Sequence, residues 1–236
     1  MSHMHIPDGV LPLWIVIAGW IATALILYFC ICRVKRVDVR RKIPLIGIVS
    51  ALMILGMTLE IVPIAYHVNL SIIAGILLGP ALAFISVFMV DLIIAMFGHG
   101  GITVVGLNTI VIGAEAMLGY YLFLMFRALI GKSSVGWASA LAVIVGLFLS
   151  TGIMLGIVYA SHTDPMKTFK IGQEIAGTDS ATSETPTAET KIDIARFAKT
   201  VFIFAPLGWI LEAVITGLAI KYVSRIRPDL ILSESS

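Results

Sequence analysis

The sequence predicts an all-α integral membrane protein of about seven transmembrane helices, with its N-terminus outside and its C-terminus in the cytoplasm. Three observations carry this expectation. Of the 236 residues, 59% are hydrophobic and 13% charged, with a mean hydropathy of +1.03, whereas soluble domains carry roughly a quarter charged residues. The apolar residues fall in runs near the ~20 that a helix needs to cross a bilayer. Lys and Arg gather in alternate connections, which sets orientation.

The first run, 10–32, is too long for a secretory signal, lacks a small-residue exit and is followed by a basic cluster, so it reads as a retained helix. The next is 43–63. The stretch 68–97 is too long for one span and is broken at Gly79-Pro80, where proline removes a donor and clashes with the preceding turn; it divides into 68–79 and 81–97. Further helices are expected at 101–128, 136–161 and 197–224. The segment RVKRVDVRRK, 33–42, has six basic residues in ten and reads as cytoplasmic, which puts the N-terminus outside. Eleven of the sixteen Lys and Arg then fall in cytoplasmic segments, among them Arg127, Lys132, Lys221, Arg225 and Arg227.

The chain thereby divides into an N-terminal segment, 1–9, folded into the bundle mouth; a six-helix bundle, 10–161; a loop, 162–196; and a last helix with its tail, 197–236. The loop holds GTDSATSETPTAET, has too little apolar surface to pack, and reads as a mobile extracytoplasmic excursion. His162 at its start reads as solvated. Cys30 and Cys32 point to nearly opposite helix faces, so neither a disulfide nor a metal clamp follows from them.

The opening MSHMHIPDGVLP is unusual in so apolar a chain. His3 and His5 are two of five histidines, and the expected topology puts them on the same side as His67 in VPIAYHVNLS, 62–71. Pro7-Asp8-Gly9 is a turn signature that can direct the leading residues back over the bundle. A free α-amine, a deprotonated amide and the imidazole of a second-position His form fused chelate rings and leave one in-plane position for another imidazole. Four nitrogens in a plane suit Ni(II) or Cu(II), whereas Zn(II) prefers a tetrahedron and Mg(II) or Ca(II) prefer oxygen. The amine titrates near pH ~8 and histidine near ~6.5, so metal competes with protons at both.

MHIPDGVLP, His67 with Asn69, FGHGGITVVGLNT at 97–109, and EAVIT…RIRPDL within 212–230 resemble the substrate-binding S component of energy-coupling-factor (ECF) nickel/cobalt transporters of the NikM/CbiM type. The likeness covers nearly the whole chain. It implies a prokaryotic plasma-membrane subunit for Ni(II) or Co(II) uptake, with metal held in a plane by the amine of Met4, the amide and ring of His5, and His67. It implies as partners a transmembrane coupling protein and a cytoplasmic ATPase pair, with a small accessory membrane subunit. The sequence departs from the pattern where Met1-Ser2-His3 precedes Met4, which turns the Met4 amine into an amide. That triplet reads as an added extension and is itself a planar chelator through the amine of Met1 and the ring of His3.

Asn69, His99 and Asp8 are candidates to orient the ligands by hydrogen bonds; for His99, the flanking glycines indicate a tight turn. Glu60, Asp91, Glu115 and Glu212 fall within expected spans. Buried carboxyls there need partners, such as Asn108 and threonines of neighbouring helices, or else serve the metal site or a partner subunit. Small residues at Ala18-xxx-Ala22, Gly47-xxx-Ala51 and Gly152-xxx-Gly156 permit close helix contact. Gly131-Lys132-Ser133-Ser134 ends like a Walker A loop, but Phe126 stands where the leading Gly belongs and no strand precedes it. The chain is expected not to be an enzyme and to hold no catalytic cofactor; beyond the bilayer and these subunits, no nucleic acid is implied. An intramembrane metalloenzyme using His67 and His99 lacks an HExxH-type cluster, and a stand-alone metal channel would need acids lining a pore.

Overall fold

The computed structural model describes residues 11–34, 36–58, 60–61, 66–98, 100–131, 134–160 and 194–232. In chain order the helices are α1 (Leu13–Arg33), α2 (Arg36–Thr58), α3 (Ser71–Leu78), α4 (Pro80–Met96), α5 (Val105–Ile130), α6 (Val135–Ala160), α7 (Ile194–Ile226) and the short α8 (Asp229–Leu232). Between α2 and α3 the chain makes a two-residue antiparallel pair, β1 (Glu60–Ile61) with β2 (Tyr66–His67), in which Glu60 faces His67 in the ladder.

Among the described residues, four stretches are long and apolar enough to cross a membrane: Leu13–Arg33, Val105–Ile130, Val135–Ile157 and Ala205–Ile226. Their outward faces carry Leu13, Ile17, Ile21 and Leu25 on α1 and Leu207, Ile210, Val214 and Leu218 on α7, all exposed. At steps of three and four these residues line one helix face each, as lipid contact requires. The protein is a multi-pass membrane protein.

The chain break at Gly79-Pro80 falls where the sequence predicts it. Gly79 adopts φ 83°, and Pro80 opens α4 at its first turn, where its missing N–H costs nothing. The resulting α3 has eight residues, every one buried, and at ~1.5 Å per residue it spans only ~12 Å. Its last carbonyl, Leu78 O, accepts a hydrogen bond from Lys42 Nζ of α2 at 3.1 Å, a cation set at the negative end of a helix. Removing that donor with Lys42→Met, which keeps the apolar stem, is expected to cost about 1–2 kcal/mol. Thermal unfolding of the purified protein checks this; an unchanged Tm would mean that water caps α3 equally well.

Four sequence expectations need correction. Helix α2 starts within the basic segment, at Arg36, because Arg and Lys are good helix formers. It stops at Thr58, short of the expected 63. Glu60 is therefore in β1 and not in a span. Among the described residues, a Cβ at Gly47, Gly152 or Gly156 would meet nothing within 4 Å, and Ala18 is exposed, so those spacings mark no close contact there. The tight approaches are elsewhere: Gly19 against Leu107, Gly75 against the backbone of Ala116, Gly106 against Trp20, and Gly136 against Gly217.

The main core joins α2 to α7 through Met53, Ile72, Leu78, Phe123, Leu147 and Ile220. With hydrocarbon outside as apolar as the core itself, close packing rather than burial from water drives this assembly. A smaller cluster joins Leu11, Ile15 and Val16 to Val104 and Leu107. Beyond α7, Arg227 Nη2 contacts Asp229 Oδ2 at 2.8 Å, and that guanidinium holds the Asp229 carboxyl below the usual range.

Candidate metal-capture site

Met1, His3, Met4, His5, Asp8, His99 and His162 lie outside the described residues; His67 and Asn69 lie within them. The site is built around the segment 66–70, which leaves the two-strand pair and turns into α3. Val68 N donates to Gly56 O at 3.2 Å. A Cβ on Gly56 would come within 2.5 Å of Val68 O, so the strand lies directly on the last turn of α2. His67 is half-buried, with Nδ1 shielded from solvent. Leu70 takes the left-handed φ of 47°, uncommon for a bulky residue, and this turns the chain sharply into Ser71.

Two positions beyond His67, Asn69 joins a cluster of buried polar side chains contributed by this segment and four helices. Asn69 Nδ2 donates to Glu115 Oε1 of α5 at 2.9 Å, and Asn69 N donates to Glu212 Oε2 of α7 at 3.4 Å. The Ser71 hydroxyl donates to the same Glu115 Oε1. Ser150 of α6 also hydrogen-bonds Glu115, and Glu212 lies close enough to interact with it electrostatically. All five residues are buried. Glu115 is the eleventh residue of α5, about 15 Å along the axis from its start at ~1.5 Å per residue. Asn69 therefore meets α5 well along its length and not at its start.

The start of α1 and the start of α5 come together above that level. Leu11 and Ile15 pack on Val104 and Leu107, Trp20 Nε1 donates to Thr103 O at 2.6 Å, and Thr23 Oγ1 donates to Gly106 O at 2.6 Å. The chain that leads out of Pro7-Asp8-Gly9 and the chain that follows the GHGG run are thus neighbours. Gly98 and Gly100 have φ of 83° and 84°, the left-handed geometry that the tight-turn reading requires. Asp91 of α4 accepts from Thr109 Oγ1 at 3.0 Å, in line with the expected threonine partner. Glu115 takes partners from the loop, α3 and α6. The sequence singles out Asn69 as a candidate supporting residue but carries no signal of its pairing with Glu115 and Glu212, which are 46 and 143 positions away.

Among the described residues, no three of His, Cys, Asp and Glu converge as a metal-holding group. Gly131, with φ 111°, ends α5, and Ser134 N donates to Gly131 O at 3.1 Å. The GKSS run thus begins as a helix stop and not as a strand-to-helix phosphate loop.

The family model CbiM, described as a cobalt uptake substrate-specific transmembrane region, matches residues 5–230. The chain belongs to the CbiM family. It is 27% identical over 237 residues to a CbiM of Methanococcus voltae named for cobalt transport, covering 96% of this chain and 94% of that protein. It is 32% identical over 160 residues to a protein of Methanocaldococcus jannaschii named for metal transport, covering 65% of this chain and 72% of that one. Two crystal structures share the fold. One, of a transition metal transporter, has a TM-score of 0.67 at 23% identity over 94% of this chain and 93% of that one. The other, of a truncated transition metal transporter, has 0.69 at 24% identity over 94% and 99%. As a CbiM member, the chain is a substrate-specific transmembrane component of cobalt or transition-metal uptake.

Proposed function

We propose that this chain captures Ni(II) or Co(II) at the membrane surface as the S component of an ECF-type transporter. The metal is its transported substrate, bound in a plane by the nitrogen of Met4, the amide and ring of His5, and His67. What supports this reading is that the start of α1, which follows the segment carrying Met4 and His5, packs on the start of α5 through Leu11 and Val104, while the segment carrying His67 is tied to the same helix by the Asn69–Glu115 hydrogen bond. Six residue steps separate His5 from Leu11, so the connecting chain reaches at most ~20 Å at ~3.3–3.6 Å per residue. A planar all-nitrogen set favours Ni(II) over Zn(II) by geometry.

In this reading seven helices are counted, α1 to α7, with the N-terminus outside, the C-terminus cytoplasmic and residues 162–196 an outer loop. Metal pins residues 1–9 over His67. A transmembrane coupling protein and a pair of cytoplasmic ATPases, with a small accessory membrane subunit, then drive inward release. Asp8 and His99 support the ligands by hydrogen bonds. With Met1-Ser2-His3 in place, the amine of Met1 and the ring of His3 offer a competing planar chelate.

Isothermal titration with Ni(II), Co(II) and Zn(II) tests this on the full chain and on one beginning at Met4, each with and without His67→Ala. The Met4-start chain is expected to bind Ni(II) tightly, to lose that binding with His67→Ala, and to weaken between pH ~8 and ~6 as amine and imidazole take up protons. Unchanged nickel binding by His67→Ala in the Met4-start chain would remove His67 from the site and overturn the reading.

A further inference from the structure

Taking His67 as a ligand, as proposed above, we infer that Asn69, Glu115 and Glu212 form a brace that fixes the position of His67 and ties it to α5 and α7. They are positioning residues of the capture site. None of them needs to touch the metal.

The geometry argues for it from both ends. Only Val68 separates His67 from Asn69, too little chain to absorb a displacement, so whatever fixes Asn69 fixes the backbone that carries the imidazole. Asn69 is fully buried and spends its two kinds of donor on different helices, the side-chain amide on Glu115 of α5 and the backbone N–H on Glu212 of α7. Glu115 is held in turn by Ser71 at the start of α3 and by Ser150 of α6. On the other side, Val68 is pinned to Gly56 of α2, and Leu70 holds a left-handed backbone that persists only where its surroundings fix it. Metal ligands need such outer support, and its loss weakens metal binding without changing the ligand set.

The chemistry points the same way. Two carboxyl groups are buried side by side within helices that cross hydrocarbon, where ionisable groups are expensive and mark function. If α3, α5, α6 and α7 needed only to pack together, apolar side chains of equal volume would serve at least as well. Carboxyls are needed where a backbone N–H and a primary amide must be held in one orientation. That orientation is delivered to the segment carrying His67.

The test uses the Met4-start chain with Ni(II), read by titration, by the absorption band of planar nickel and by the Tm of the metal-free protein. Asn69→Ala and Glu115→Ala are each expected to weaken nickel binding by about 10–100-fold with the planar band unchanged. Glu115→Gln keeps an acceptor oxygen of the same reach and is expected to recover most of that loss. The double variant Asn69→Ala/Glu115→Ala is expected to lose no more than the worse single one, since both cut one connection. If Asn69→Ala does not fold, Asn69→Ser, too short to reach Glu115, carries the same expectation. Fully additive losses, a Glu115→Gln as weak as Glu115→Ala, or alanine variants that lower the metal-free Tm yet bind nickel like the parent would each overturn the brace. His67→Ala separates the two failures. If it abolishes binding while Asn69→Ala and Glu115→Ala do not weaken it, the brace alone falls; if it too binds normally, the capture site falls with it.

Discussion

Gly75→Ala is expected to destabilise the protein by about 2–3 kcal/mol, the range of overpacked core sites, although Gly→Ala within a helix is ordinarily favourable by ~1 kcal/mol. The contact decides the sign. A Cβ at Gly75 would lie 2.0 Å from Ala116 O and 3.0 Å from Ala116 C, both backbone atoms of α5. No side chain can rotate away, so α3 and α5 must separate. Helix α3 has no free side to retreat to, since all eight residues are buried. Separation also carries Glu115, the neighbour of Ala116, away from Asn69 and Ser71. A lower Tm together with weaker nickel binding is the expected pair of results; a Tm equal to the parent's would mean that the two helices do not approach this closely.

Gly56→Ala acts on the same site from the opposite wall. Its Cβ would fall 2.5 Å from Val68 O, and relieving that clash costs the Val68 N–Gly56 O hydrogen bond. Because α2 ends two residues later, at Thr58, its last turn can yield, and the stability loss is expected to stay near ~1 kcal/mol. The displacement falls instead on His67, one residue from Val68, so nickel affinity is expected to drop by at least about tenfold, the lower range for disturbed ligand support. Gly47→Ala on the same helix is the control: nothing lies within 4 Å of its Cβ, and it is expected to be neutral or slightly stabilising. Equal nickel affinity in Gly56→Ala and Gly47→Ala would show that the strand does not depend on α2 for its position.

How far the sequence could be read depended on the range of the forces involved. Helices of spanning length declare themselves by composition, and the Gly79-Pro80 break was visible because proline acts on its own turn. The beginning of α2 was not, since hydropathy drops at Lys and Arg while helix propensity does not. Glycine spacing misled for a different reason. The patterns at Gly47 and Gly152 satisfy the rule for close contact, yet which face of a helix meets a neighbour is decided by the neighbour, and Gly75, Gly106 and Gly136 met one. His67 and Asn69 were singled out by their residue types and the family resemblance. Their seating on Glu115 and Glu212 was not, because a hydrogen bond across 143 positions leaves no local trace. Met4 and His5 lie outside the described residues.

The shortness of α3 has a consequence for how the molecule is made. A helix of eight residues falls far below the ~20 needed to enter a bilayer independently, and with all its side chains buried it has no surface suited to lipid. It must therefore take its place after longer helices have inserted and offered it a protein lining, α5 and α4 above all. The segment 66–70 is fastened to the start of α3 and to Glu212 on the last long helix. It can reach its final shape only when biosynthesis of nearly the whole chain is complete, so competence to bind metal is acquired at the end of assembly and not along the way.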